Sequence, residues 1–169
     1  MKRSVTIQVS NAAGVSSFGT IAQNALANEV QKTTVEIRPS YLSEEVIGVF
    51  PVNQVTKKVT VYGLEEGTYF AVIKRAGHLE RAFNFTVGAS NLVLADKPLI
   101  PGDINDDGAI DAVDVAIIHE RAEANFELEN DLKLDLNGDG KVDSFEAGIL
   151  TENYGLDVSV YNEDVDFDN

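Results

Sequence analysis

The chain has 169 residues, 44% of them hydrophobic, no cysteine and a formal net charge of −15 at pH 7. That length accommodates one or two domains, and the lack of cysteine excludes disulfides, thiolate metal sites and cysteine nucleophiles. The charge is unevenly spread: residues 1–97 carry 10 Lys/Arg and 8 Asp/Glu, net +2, whereas residues 98–169 carry 3 Lys/Arg and 20 Asp/Glu, net −17, a balance that repels nucleic acid and anionic membranes.

The N-terminal Met1-Lys2-Arg3 is basic, but Ser4–Ser10 alternates instead of forming an apolar block, so it does not read as a secretory leader. The chain reads as a fragment behind an added Met1. Val5–Val9 alternates apolar and polar residues as a half-buried strand does. Ile21–Val30 fits a short helix or a polar loop. Further strands are expected at Thr33–Arg38, Val46–Val49, Lys58–Tyr62, Thr68–Lys74, Ala82–Val87 and Leu92–Ala95, with Pro and Gly punctuation between them. Short strands at this spacing predict an all-β, immunoglobulin-like sandwich over residues 1–97. His78 and His119 lie 41 residues apart with no motif around either.

Lys97-Pro98-Leu99-Ile100-Pro101-Gly102 marks the boundary with a second domain, residues 98–169, because its prolines block both ladder and helix. So short a linker predicts that the two units pack together. Beyond it lies an internal repeat. Residues 103–114 (DINDDGAIDAVD) align with residues 135–146 (DLNGDGKVDSFE) at an offset of 32. Each block runs into a helix-like stretch, Val113–Ala124 and Ser144–Tyr154, and Phe126–Leu134 fits a short helix between them.

Both blocks fit a twelve-residue calcium loop, with oxygen donors at positions 1, 3, 5, 7, 9 and 12 and glycine at 6. In the first these are Asp103, Asn105, Asp107, the Ala109 carbonyl, Asp111 and Asp114. In the second they are Asp135, Asn137, Asp139, the Lys141 carbonyl, Asp143 and Glu146. Calcium is a hard cation that takes six to eight oxygens, and Gly108 and Gly140 permit the sharp turn around it. One acidic Asp-Gly turn arises easily by chance; two in matching register do not. Two Ca2+ ions would bring the acidic half from −17 to −13, and without them it is expected to be largely unfolded. Asp114 stands where a glutamate is usual, so the reach of its shorter side chain is in question. Apolar position 8, Ile110 and Val142, is expected to join the loops by a short β contact.

A standard helix–loop–helix calcium site has an entering helix, but Pro101-Gly102 forbids one before the first loop. The duplicated loop–helix pattern from Gly102-Asp103-Ile104-Asn105-Asp106-Asp107-Gly108 onward resembles a dockerin, the calcium-dependent docking module of cellulosomes. The segments Val59–Tyr69 and Lys74–Leu79 resemble the X module that precedes type II dockerins in scaffolding proteins. The resemblance implies secretion and binding to a cohesin module on another scaffolding or cell-surface anchoring protein.

By helical spacing, Val115, Ile118 and Ala122, with Ala147, Leu150 and Tyr154, form the expected core stripe. Apolar residues off that stripe form a candidate recognition strip: Val113, Ala116, Ile117, Phe145 and Ile149. The resemblance implies recognition from loop positions 10 and 11, here Ala112-Val113 and Ser144-Phe145. Apolar residues there, in place of the Ser/Thr pairs of type I dockerins, are similar to type II. His119, Glu120, Arg121 and Asn153 are candidate rim contacts.

No catalytic residue is assigned. A glycosidase needs two carboxylates across a cleft, whereas Glu44-Glu45 and Glu65-Glu66 sit at expected turns. The alternatives are a calcium-binding signalling or buffer protein, and a carbohydrate-binding β domain using Tyr41, Tyr62 and Tyr69, the chain having no tryptophan.

Overall fold

The computed structural model describes residues 1–10, 32–125, 127 and 131–165. The expected helix-or-loop stretch at 21–30, residues 126 and 128–130 of the intermediate stretch, and residues 166–169 of the acidic tail lie outside them.

Alternating residues build two sheets. Strands β1 (Arg3–Gln8), β4 (Lys58–Leu64) and β7 (Leu92–Val93) form one, in the order β4-β1-β7. Strands β2 (Thr34–Arg38), β3 (Gly48–Pro51), β5 (Gly67–Lys74) and β6 (Arg81–Val87) form the other, in the order β3-β2-β5-β6. Side chains two apart on a strand share a face. Val5 and Ile7 on β1 therefore meet Val35 and Ile37 of β2, Ala71 and Ile73 of β5, and Phe83 and Phe85 of β6 in one buried cluster between the sheets. Strand β5 is buried on both faces, since Phe70 and Val72 are also covered and the Tyr41 ring meets Phe70 edge-on at 5.4 Å. Strand β3 begins two residues later than expected and ends on Pro51; it is an edge strand, where a missing N–H is tolerated.

The linker does not hang free. Leu94, Lys97 and Leu99 donate N–H to the carbonyls of Thr6, Gln8 and Ser10, so the chain runs on along β1. Pro101 then bridges to His78, flanked by Leu79 N to Ile100 O at 2.9 Å and Gly102 N to Gly77 O at 2.8 Å.

The rest folds around a second, smaller cluster: Ile104, Ile110, Ile118, Leu134, Leu136, Val142, Leu150 and Tyr161, together with Leu79 from the β region. Two helices flank it, α1 (Ala112–Ala122) and α2 (Ser144–Asn153), followed by a 3-10 turn at Val158–Asp164. Among the described residues no helix is long and apolar enough to cross a membrane.

The buried stripe on the helices differs from the expected one. Ile118 and Leu150 are buried as expected, but Val115, Ala122, Ala147 and Tyr154 are exposed. Their places toward the core are taken by Asp114 and Glu146, one turn before Ile118 and Leu150, and by Ile117 and Ile149, which are half-buried against the cluster. A carboxylate one turn ahead of each core residue hides the stripe from any reading based on hydropathy.

Candidate functional site

Each loop is wound around its own first aspartate. In the first loop, Asp103 Oδ1 accepts from Asp107 N (3.0 Å) and Oδ2 from Gly108 N (2.9 Å). In the second, Asp135 Oδ1 accepts from Gly138 N (2.8 Å) and Asp139 N (3.1 Å), and Oδ2 from Gly140 N (2.8 Å). Gly108 and Gly140 have φ of 90° and 82°, in the left-handed region that glycine enters without strain. Asn105 and Asn137 each accept from the N–H two residues on, at 3.2 and 3.1 Å, and donate to Asp107 and Asp139.

The last acid of each loop is also the third residue of its helix. Asp111 and Asp143 cap α1 and α2 by accepting from Val113 N (2.7 Å) and Phe145 N (2.9 Å), and Asp114 and Glu146 reach back to the cap N–H to close a capping box. The same two carboxylates cross to the opposite side of the loop. Asp114 Oδ1 accepts from Ile104 N at 2.7 Å and from Asn105 N at 3.2 Å; Glu146 Oε1 accepts from Leu136 N at 3.3 Å. The shorter acid therefore reaches its loop, and with a shorter bond than the longer one.

For three of these acids, Asp103, Asp135 and Glu146, burial outweighs the hydrogen bonds they accept. Asp103, Asp114, Asp135 and Glu146 are each at most 1% exposed. Burial raises the Asp103 carboxyl to about 6, with the charges of Asp106 and Asp114 adding to the effect and the loop N–H bonds opposing it. Burial likewise raises Asp135 and Glu146. An ionised acid in such a place needs a cation. Every predicted donor is oxygen, which suits a hard divalent ion. Among the described residues no three His, Asp or Glu side chains stand close enough together to form a metal-holding group.

The expected β contact between Ile110 and Val142 is not formed. Ile110 N instead donates to Leu156 O (2.8 Å) and Ile110 O accepts from Gly155 N (2.8 Å), while Val158 N donates to Gly108 O (3.0 Å). The chain after α2 folds back and takes the edge that the second loop would have used. This pairing runs through Gly108 and Ile110 and does not use the Ala109 carbonyl.

Of the candidate recognition residues, Ala112, Val113, Ala116, His119, Glu120 and Ser144 are exposed; Ile117, Phe145 and Ile149 are half-buried. Arg121 turns inward instead of standing on the rim. Its Nε and Nη2 donate to the two oxygens of buried Asp131, both at 2.7 Å, and Asp131 also accepts from Glu127 N. Asn153 Nδ2 donates to Pro101 O at 2.9 Å and so ties the end of α2 to the linker. Between the helices lies a groove of about 260 Å³, lined mainly by Val115, Ile118, Ala122, Ser144, Ala147 and Leu150. Its lining runs from Val115 to Ala122 along α1 and from Asp143 to Leu150 along α2.

The seam with the β region was not foreseen in its details. Gly77 has φ 73°, and a Cβ there would stand 2.7 Å from the Lys133 carbonyl. His78 is 1% exposed; its Nδ1 donates to Ala76 O at 2.9 Å, and its Nε2 has no partner among the described residues. Burial and neighbouring Arg75 push the imidazole down to about 3, so it is neutral. Arg81 lies over the Tyr161 ring at 4.7 Å. The sequence signal for this seam was the short linker, which predicts that the units pack without saying through which residues.

Residues 101–153 match the family model described as the dockerin type I domain. The chain is similar to two crystal structures of mutants of a type II cohesin–X-dockerin complex from Acetivibrio cellulolyticus, one altered at the N-terminal interface and one at the C-terminal interface. Both align with a TM-score of 0.70, at 20% and 21% identity, over 94% of this chain and 99% of theirs. No curated protein matches. Residues 101–153 thus match the dockerin family model, and the chain as a whole has the fold seen in those X-dockerin structures.

Proposed function

We propose that this chain is a calcium-dependent docking module that binds a cohesin and so joins a cellulosomal scaffold to another scaffolding or cell-surface protein. The observation that carries this reading is the duplicated loop whose position-12 acid is at once a buried carboxylate and the third residue of a helix. One residue thereby links a cation to the placement of a helix. Two Ca2+ ions, one per loop, would be held by Asp103, Asn105, Asp107, Asp111 and Asp114 and by Asp135, Asn137, Asp139, Asp143 and Glu146, with the Ala109 and Lys141 carbonyls. The ions supply charge compensation and set α1 and α2 side by side.

We further infer that the β region, divided from the dockerin near residue 97, is an immunoglobulin-like sandwich that buttresses the dockerin and that neither part is catalytic. The protein works outside the cell. Exposed Ala112 and Val113, in place of a hydroxyl pair, support a type II-like partner. A calcium sensor is less well supported, because Pro101-Gly102 leaves no entering helix to swing.

Calorimetric titration against type I and type II cohesins, with calcium and with chelator, tests the reading. Binding to type II that vanishes in chelator is expected. A calcium-loaded, folded chain that binds neither cohesin would sink it.

A further inference from the structure

Arg121 and Asn153 stand 32 residues apart, at equivalent positions in the last turns of α1 and α2. Each side chain reaches out of its own loop–helix unit to the chain that enters the other loop. Arg121 donates from Nε and Nη2 to the two carboxylate oxygens of buried Asp131, both at 2.7 Å. The Asp131 carbonyl accepts in turn from Leu134 N at 2.9 Å and from Asp135 N at 3.0 Å, and Asp135 opens the second loop. Arg121 and Asp131 also line a cavity of about 190 Å³ together with Lys141, Val142 and Asp143 of that loop. Asn153 does the converse: its Nδ2 donates at 2.9 Å to the carbonyl of Pro101, two residues before Asp103 opens the first loop.

Each loop is already joined to its own helix. Asp114 accepts from Ile104 N and closes the cap of α1, and Glu146 accepts from Leu136 N and closes the cap of α2. Ordering of the first loop therefore sets α1, α1 sets Arg121, and Arg121 sets the entrance of the second loop. The return path runs from Glu146 through α2 and Asn153 to Pro101. No direct path replaces these through position 8, because Ile110 spends its N–H on Leu156 O and its carbonyl on Gly155 N.

We infer that Arg121 and Asn153 couple the two calcium sites, so that an ion in either loop tightens the other, and that Arg121 carries the larger share. This rests on the calcium reading above and deepens it. Neither residue is a ligand; both are positioning residues. Coupling of this kind is reciprocal, since whatever one site does to the affinity of the second, the second does to the first. The shares differ because a paired, charge-assisted contact on a buried carboxylate is stronger than a single neutral amide bond. The two units, although duplicated, therefore clasp each other with unequal hands.

The test is a mutant cycle on the full chain, titrated with Ca2+ from the metal-free state, with the Gly108 and Gly140 amide signals reporting the first and second loops. Asp139→Ala removes an exposed donor and disables the second loop. In the otherwise unaltered chain it is expected to weaken the first loop about thirtyfold, within the usual range of coupling between sites. In an Arg121→Gln background the same change should cost the first loop only about threefold, and in an Asn153→Ala background about tenfold, the two paths combining as independent contributions. A merely structural role for Arg121 would weaken both loops and leave their dependence on each other intact, so an Asp139→Ala cost that Arg121→Gln does not reduce overturns the inference. So does a first loop indifferent to Asp139→Ala in the unaltered chain. Arg121→Lys, which keeps the charge and loses the paired geometry, takes the place of Arg121→Gln if that variant regains no helical signal with calcium. An unaltered chain in which either loop takes up no calcium overturns the calcium reading itself, an outcome seen before any variant is made.

Discussion

The two halves of this chain solve the same problem by different means. The β region buries Val5, Ile7, Val35, Ile37, Ile73 and Phe83 between two sheets, with Leu99 of the linker as the one residue from beyond position 97 in that cluster. The dockerin region buries a smaller set around Ile104, Ile118, Leu136 and Leu150, borrows Leu79 from its neighbour, and places Asp103, Asp114, Asp135 and Glu146 in the same interior. Small domains commonly need a metal or a disulfide to supplement a thin core. With no cysteine available, the calcium ions proposed for the two loops would take that part. A buried acid is a cost in the apo chain and a source of stability once the ion is bound.

The largest expected effect breaks the comparison outright. Chelator should abolish cohesin binding and reduce the helical signal of α1 and α2 to a small residue, while the β region keeps its own cooperative melt. Far-ultraviolet circular dichroism and amide spectra with and without chelator measure this. A dockerin region that stays folded in chelator would mean that its apolar cluster suffices and that the halves do not differ in kind.

Next come single core truncations. Ile73→Ala and Ile118→Ala each remove a fully buried side chain and should each cost about 2–5 kcal/mol. In the β region that loss lowers the melting temperature; in the thinner dockerin core it should also raise the calcium concentration needed to fold. Calcium titrations followed by circular dichroism separate the two responses. Equal calcium dependence in both variants would erase the distinction. Gly77→Ala sits at the seam and combines a left-handed backbone with a Cβ 2.7 Å from the Lys133 carbonyl. It should cost about 1–3 kcal/mol and split one calorimetric transition of the loaded chain into two.

Much of this was readable from the residues, for physical reasons. The strands followed from period-two alternation, and the loops from oxygen donors fixed by the size and hardness of one ion. Three features were not readable. The core stripe on α1 and α2 runs through Asp114–Ile118 and Glu146–Leu150, so half of it is polar and no apolar periodicity marks it. The partner of Ile110 is a backbone edge at Gly155–Leu156, and backbone hydrogen bonds carry no side-chain signature. Arg121 belongs with these. An exposed-looking cation on a helix gives no sign that Asp131, ten residues away, lies buried beneath it.

The smallest effect sharpens the comparison, because the two halves should answer acid with opposite signs. In calcium-free protein the Asp103 carboxyl lies at about 6, above its ordinary 3.8. A raised acid favours the fold while protonated, so that contribution is present below 3.8 and is lost as pH rises through 6. His78 is the reverse. Its imidazole is pushed from 6.5 down to about 3, so the buried neutral ring favours the seam above 6.5 and that contribution is lost as pH falls toward 3. In chelator, moving from neutral to about pH 5 should therefore raise the residual helical signal while lowering the melting temperature of the β region, the ordinary histidine range being crossed in that step. His78→Gln isolates the second term. It removes the titrating ring while keeping a polar side chain and, at so buried a position, should cost about 1–3 kcal/mol at neutral pH. The acid dependence of the β-region melt should flatten, with the response of the loops unaltered. Thermal melts of both proteins across that pH step measure it, and an acid slope unchanged by His78→Gln would place the sensitivity elsewhere than the seam.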